Sequence, residues 1–371
     1  MPGIDIQDLD RNAVRLLVPD LPTHKDLSPF LDEIDTNRIY TNFGPLHTRL
    51  ESELAAFLGV KHALCLSSGT SALELAVQNL HLPKGSQILI PSLNFPSAAI
   101  ACIRNGHDPV FSDVDLTTGS LRTDIARQAL QKNSKISAVL VSVLLGCSTE
   151  CSDWEKFQAD TGCRVVIDAA GAIGHIKPPN SISTIYSLHA TKPLSAGEGG
   201  VLATNDAAAA KELRALSNFG YTQQGLEHVG TNSKLSEYHS AVGLAALQAW
   251  PKAKAKRLSL FSEYTEKLNA IGLPAFARVM NQTGVTSTFS LVFHDVVGER
   301  AVEDLAHAGV ETRRWYCPHL HRHPAFQGFS TTGPLKNSEW LSQRLLGLPF
   351  HTSLTSADID QVCAAIKTLQ R

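Results

Sequence analysis

Between residues 62 and 204 the chain repeats one pattern: a short apolar run, then a segment whose apolar residues recur at helical spacing. The apolar runs lie at 62–66, 87–90, 109–111, 136–143, 164–168, 185–188 and 201–204, and helical patterns at 72–80, 96–105, 123–131 and 153–161. A strand that is apolar throughout is buried on both faces, and the intervening helices supply the cover. The pattern therefore predicts an α/β fold around a parallel or mostly parallel sheet. Such sheets bind ligands outside the carboxyl ends of their strands, so the residues that close each run are the first candidates for a site.

The flanks are organised differently. Residues 1–30 read as an N-terminal arm, 27–37 as a short helix and 46–58 as an amphipathic helix closed by Gly59. A strong helical pattern over 234–250 meets Pro251 and the basic stretch 252–257. A domain junction is expected there, since proline tends to end a helix. This gives a large domain, 1–250, and a smaller α+β domain, 251–371. Helices are expected in the latter at 258–270, 299–307 and 356–369, with a β-like segment at 286–294.

Bulk properties exclude several function classes. A net charge of −2 leaves no basic footprint for nucleic acid. The longest apolar run, 136–145, is too short to span a bilayer. The first residues lack the basic and apolar segments of a signal peptide. Seven scattered cysteines, odd in number and without a CxxC pair, read as reduced thiols in a cytoplasmic protein and argue against a zinc site.

Four features carry chemistry. Ser67-Ser-Gly-Thr70-Ser follows the first strand and opens a helix, where backbone N–H groups and hydroxyls make an anion site. Asp168 ends the apolar run Val165-Val-Ile, placing a carboxylate at the sheet's carboxyl edge. Phe95 follows the turn Pro91-Ser-Leu-Asn94, well placed to cover a planar ring. Lys192 sits in Ser187-Leu-His189-Ala-Thr-Lys192-Pro, ahead of a glycine-rich turn, a tight setting that suits an amine attacking a carbonyl. Singly, each has a plainer reading: a helix N-cap, a turn-capping aspartate, a core phenylalanine and a surface lysine. Together, and in this order on strand ends, they supply an anion nest, a stacking wall, a carboxylate for a ring nitrogen and an amine for an aldehyde. Pyridoxal 5′-phosphate needs that set.

The chain resembles the DegT/DnrJ/StrS group of fold-type-I aminotransferases, best known for acting on nucleotide-linked keto-sugars. The likeness runs through Thr41-Asn-Phe-Gly44, Ser68-Gly-Thr-Ser-Ala-Leu73, Ile90-Pro-Ser-Leu-Asn-Phe95 and Phe111-Ser-Asp-Val-Asp115. It continues in Ile167-Asp-Ala-Ala170, the lysine stretch, Gly197-Glu-Gly-Gly200, Gly230-Thr-Asn-Ser-Lys-Leu-Ser-Glu237, Trp315-Tyr-Cys-Pro-His-Leu-His321 and Leu348-Pro349. The resemblance implies a large domain with a mostly parallel seven-stranded sheet and a smaller C-terminal α+β domain. It implies that Lys192 carries the cofactor, Asp168 pairs with the ring nitrogen, Phe95 and Ala170 sandwich the ring, and Gly69, Thr70 and Ser187 hold the phosphate. Asn232 would reach the phosphate of a neighbouring subunit, making the enzyme a homodimer with shared sites. The amino donor would be glutamate and the acceptor a keto-sugar. Arg313, Tyr316 and His319, with Arg314 and His321, would meet the substrate. His189 either tunes the catalytic lysine or is a packing histidine, and Glu198 braces the glycine turn.

Two departures stand out. The family usually carries glutamine or histidine where this chain has Gly171. A hydrogen bond near the cofactor's ring oxygen is therefore missing, and Asn94 is expected to replace it. The Asn232-Ser-Lys-Leu run also differs from the usual Asn-Tyr-Arg-Met. A sugar dehydratase of the same fold typically carries histidine in place of the lysine, so Lys192 argues against that alternative. Intact Lys192 and Asp168 argue against a non-catalytic regulatory protein, and the missing dinucleotide fingerprint argues against a dehydrogenase.

Overall fold

A computed structural model of the chain describes residues 13–147, 151–280, 282 and 284–369. The first part of the expected N-terminal arm, and the segment read for a signal peptide, lie outside the described residues. Two helices lead in. The first, α1 (His24–Asn37), opens with a reciprocal Thr23/Asp26 capping box. The second, α2 (Pro45–Leu58), has proline at its first position and ends on Gly59 at φ +71°. The alternating region then gives β1 (His62–Leu66), α3 (Gly69–Gln78), β2 (Gln87–Pro91), α4 (Ser97–Arg104), β3 (Asp108–Ser112), α5 (Thr123–Lys132), β4 (Ile136–Ser142), α6 (Ser152–Thr161), β5 (Arg164–Asp168), β6 (Thr184–Ser187) and β7 (Gly200–Thr204).

These seven strands form one sheet in the order β1-β7-β6-β5-β4-β2-β3. Strands β3, β2, β4, β5 and β6 run parallel, while β7 is antiparallel to both of its neighbours. The mostly parallel sheet is thus present. Successive strand residues enter opposite cores, as full burial requires. Ala63, Val165 and Ile167 pack with α1, α2, α5 and α6 on one face, and Leu64, Leu66 and Val166 with α3 and α4 on the other.

After β7 comes α7 (Ala207–Leu216), which the sequence reading passed over. Its start is fixed by Asp206, whose carboxylate accepts from the N–H groups of Ala208 and Ala209 at 2.8 and 3.1 Å. A short hairpin, β8 (Tyr221–Thr222) and β9 (Gly225–Leu226), leads to α8 (Glu237–Ala270). The sequence reading divided this stretch at Pro251, yet the 34-residue helix runs through it. Proline removes one hydrogen bond, and packing on both sides outweighs that loss. Ala241, Leu244 and Trp250 are buried against the main sheet's helices, and Leu260, Tyr264 and Leu268 in the C-terminal core.

That second core lies on an antiparallel sheet of β10 (Ala277–Val279), β11 (Phe289–Phe293), β12 (Arg313–Arg314) and β13 (Leu345–Leu348), in the order β10-β11-β13-β12. Helices α9 (Glu299–His307), α10 (Lys336–Ser342) and α11 (Ser356–Lys367) accompany it. Among the described residues, no helix is long and apolar enough to cross a membrane.

Glu237 fastens α8 to α2. Its buried carboxylate accepts from the N–H groups of Leu46 and His47 at 2.9 and 2.8 Å, two donors that α2 cannot satisfy internally. A Cβ on Gly44 would lie 2.7 Å from Glu237 Cδ, so glycine makes room for the cap. Glu237→Ala leaves both donors buried and unpaired and is expected to cost about 1–3 kcal/mol of stability. The shift of the urea midpoint measures it, and an unchanged midpoint would show that the contact contributes nothing.

Candidate active site

The carboxyl ends of β4, β5 and β6 carry Ser142, Asp168 and Ser187, all of which line one cavity of about 460 Å³. Lys192, His189, Phe95, Ala170, Gly69 and Thr70 line the same space. The structure thus gathers the catalytic and cofactor-binding residues expected from sequence, apart from Asn232.

Asp168 is almost fully buried and accepts from the Ala170 N–H at 3.0 Å. Burial pushes its carboxyl up from 3.8 to about 6, against the opposing pull of that hydrogen bond and of Lys192. Burial likewise pushes the Lys192 ammonium down, and the charge of Asp168 opposes it. Lys192 is held in a turn: its N–H donates to the His189 carbonyl at 2.8 Å, while Leu188, Ala190 and Ala196 exchange backbone bonds with the returning strand. His189 is tied to the same turn, with Nδ1 2.9 Å from Thr191 Oγ1 and Nε2 3.7 Å from Glu198 Oε1.

The anion nest is the first turn of α3. Ser68 caps that helix by accepting from the Ser71 N–H at 3.0 Å. The N–H groups of Gly69 and Thr70 precede the first intrahelical acceptor and so point to the cavity end. Ser187 Oγ accepts from the His189 N–H at 3.2 Å, which leaves its hydroxyl proton for a ligand. The fit between helix and strand is close. A Cβ on Gly69 would stand 3.2 Å from Ser187 Cβ, and one on Gly200 would overlap the Ser68 carbonyl.

Phe95 is 46% exposed, at the cavity rim. Its N–H donates to Asn94 Oδ1 at 2.7 Å, and Asn94 Nδ2 donates to Ser142 Oγ at 2.6 Å. Gly171 also lines the cavity; a Cβ there would sit 3.5 Å from the Gly146 nitrogen, an ordinary contact.

Of the residues expected to meet substrate, Arg313 and Tyr316 line the cavity, and the Arg313 guanidinium lies 5.2 Å over the Trp315 ring. His319 does not line it. That ring is 4% exposed, pushed down to about 4 by burial and by the neighbouring His321, with Nδ1 3.4 Å from Ser342 Oγ. His321 also stands back from the cavity, 2.9 Å from Ser92 Oγ. Asn232 is exposed and outside the cavity, bridged to Asn218. The sequence reading missed Ser142, Leu17, Ser287, Thr288 and Trp315 as lining residues. Of these, Ser142 was findable: it is polar and ends an apolar strand beside Asp168.

Residues 23–367 match the DegT/DnrJ/EryC1/StrS aminotransferase family. The chain is 28% identical over 370 residues to a dTDP-4-amino-4,6-dideoxy-D-glucose transaminase of Shigella dysenteriae, covering 95% of this chain and 98% of that one. It is 28% identical over 349 residues to a GDP-perosamine synthase of Caulobacter vibrioides, covering 91% and 93%. The crystal structure of DesI with its TDP-sugar product superposes with a TM-score of 0.88 at 28% identity, covering 97% of this chain and 93% of DesI. The fold is that of the fold-type-I transferases, and the chain belongs to the DegT/DnrJ/EryC1/StrS aminotransferase family.

Proposed function

We propose that this aminotransferase holds pyridoxal 5′-phosphate in the cavity and passes an amino group from glutamate to a nucleotide-linked keto-sugar. The observation that carries the reading is the pairing of Lys192 and Asp168 in one buried cavity beside an anion nest. The donor set suits the cofactor. Gly69, Thr70 and Ser187 match a phosphate, Asp168 a protonated ring nitrogen, Lys192 an aldehyde, and Phe95 with Ala170 the two ring faces. When bound, the cofactor supplies a carbonyl for the amino group and a ring that takes up the electron pair released at the donor's α-carbon.

The chain's own residues do the rest. Burial favours the neutral amine of Lys192 over its ammonium, and the neutral amine can attack a carbonyl. With the cofactor held, Lys192 Nζ would take the proton from the donor's α-carbon and give it back at the other end of the transfer. Asp168 keeps a proton on the ring nitrogen, and the positive partner offsets the cost of burying its carboxylate. His189 orients the lysine turn through Thr191. Phe95 limits water at the open face. Arg313 and Tyr316 meet the acceptor, the guanidinium suiting a phosphate or carboxylate.

The relatives named for dTDP- and GDP-linked sugars support a nucleotide-linked acceptor. Asn232, exposed and outside its own cavity, is free to serve the site of a second copy, and on that basis the enzyme is a homodimer. Seven scattered cysteines without a CxxC pair suit the cytoplasm. We also keep the division at residue 250, which then falls inside α8 and makes that helix the shared spine of the two domains.

Purified protein is expected to show a visible band that borohydride fixes onto Lys192, and glutamate should bleach it. Lys192→Ala should lose about 10²- to 10⁴-fold in amino transfer; a variant as fast as wild type would overturn the assignment. A panel of nucleotide-linked and free keto-sugars, scored for amino transfer from glutamate, identifies the acceptor, and preference for the free sugars would refute the nucleotide-linked one.

The raised carboxyl of Asp168 also makes a pH prediction for the cofactor-free protein. Its folded value of about 6 exceeds the ordinary 3.8, so the folded state holds that proton more tightly. The resulting stability is fully present below pH 3.8 and is lost as pH rises through 6, about 3 kcal/mol in all. Asp168→Asn should remove this slope, leaving the cofactor-free variant more stable than wild type above pH 6 while weakening cofactor binding. Parallel denaturation curves at pH 5 and 7.5 for both proteins check it.

A further inference from the structure

The hydrogen bonds around Asn94 leave the Ser142 hydroxyl proton without an acceptor. The Phe95 N–H can only donate, so the Asn94 atom facing it is the oxygen, at 2.7 Å. The Asn94 nitrogen therefore faces Ser142 Oγ, at 2.6 Å, and it too can only donate. Ser142 Oγ is thus an acceptor in this pair, and its own proton must go elsewhere. Ser142 is 3% exposed, lines the cavity, and has no other hydrogen-bond partner among the described residues. A buried hydroxyl proton without an acceptor, at the wall of a ligand cavity, is set to donate to the ligand.

The sheet says which part of the ligand. Phosphate donors lie at α3 and at Ser187 on β6; Asp168, for the ring nitrogen, is on β5; Ser142 is on β4, directly opposite Asp168 in the register. Across a pyridoxal ring the same sequence reads phosphate arm, ring nitrogen, then the edge that bears the methyl group and the phenolic oxygen. That oxygen is the acceptor on the Ser142 side.

The geometry points to Ser142 as a cofactor-binding residue that donates its hydroxyl proton to the phenolic oxygen of the pyridoxal ring, with Asn94 as the positioning residue that dictates the direction of the donation. This rests on the cofactor assignment above. It adds a donor beside the one expected of Asn94, whose amide spends its oxygen on Phe95 and one of its two N–H groups on Ser142. One residue then sets both the ring-covering wall and the ring-oxygen donor.

Cofactor-free enzyme is titrated with pyridoxal 5′-phosphate, and the pH at which the visible band of the reconstituted enzyme changes form is measured. Ser142→Ala should weaken binding about 3- to 10-fold, the value of one buried hydrogen bond. It should also raise the titration midpoint, because a donor lost from the oxygen lets that oxygen hold the neighbouring proton more tightly. Ser142→Thr, which keeps the hydroxyl, should recover both. Asn94→Asp keeps an acceptor for Phe95 but turns the Ser142 proton toward itself, and should raise the midpoint although Ser142 is intact. Circular dichroism of the cofactor-free variants controls for folding; should Ser142→Ala fail to fold, Asn94→Asp carries the test. Unchanged affinity and midpoint in folded Ser142→Ala, or in Asn94→Asp, overturns the proposal. Failure of wild type to bind the cofactor would instead overturn the cofactor assignment.

Discussion

A carboxylate and an amine share one cavity at the strand ends, and each is kept there against its own hydration. Burial raises the proton affinity of Asp168 and lowers that of Lys192, and their mutual attraction only partly opposes both shifts. Neither shift favours the folded chain with its charges in place. Such an arrangement persists because the rest of the fold over-determines it, and functional sites are where that kind of cost concentrates. A bound cation beside Asp168 and a carbonyl beside Lys192 relieve both costs at once, so ligand binding and folding favour the same geometry.

What over-determines it is backbone, more than side chains. Asp168 is the last residue of a strand hydrogen-bonded on both sides. Lys192 lies in a loop whose ends are pinned by β6 and β7, with Leu188 bonded to Gly199 and Ala190 to Gly197. That loop can lie against α3 because Gly69 and Gly200 present no side chain where helix, loop and strand meet. Because β7 runs antiparallel to β6, the chain returns immediately and keeps Ser187 and Lys192 within one short segment, against the anion nest of α3. The small domain is held to this framework by α8 and by the N-terminal arm, where Val14 bonds to Gly309 and Glu311, and the Leu16 carbonyl to Phe350.

How much of this was legible follows from which signals have a period. The seven strands of the main sheet were visible because each is apolar throughout, and Asp168 because it closes such a run, whereas Ser187 was reached through the lysine stretch that follows it. The antiparallel course of β7 was not visible, since burial pattern carries no direction. Helix α7 was missed because Ala207-Ala-Ala-Ala offers little contrast between faces; its one marker was the cap at Asp206. Pro251 was over-read, as local propensity yields to packing on either side. His319 was grouped with the substrate residues through its neighbours in sequence, yet its ring packs 4.4 Å from that of His321 and does not line the cavity. Ser142 was absorbed into an apolar run although its polarity near the end of that run marked it, and the hydrogen-bond directions around Asn94 then give its proton a direction.

The same strand end ties the cofactor wall to the acceptor wall. Ser92, two residues before Asn94, accepts the Leu320 N–H at 2.8 Å through its carbonyl, and its hydroxyl bonds His321 at 2.9 Å. Leu320 and His321 close the segment that brings Arg313, Trp315 and Tyr316 to the cavity. A change in the small domain that moves this segment therefore pulls on β2 beyond Pro91, and through Asn94 on Phe95 and Ser142. Through Ser92, the 313–321 segment and the Asn94–Phe95 turn are joined as one wall of the cavity. Variation in the 313–321 segment would then be felt at the Asn94–Phe95 turn as well as at the part of the cavity that the segment itself lines.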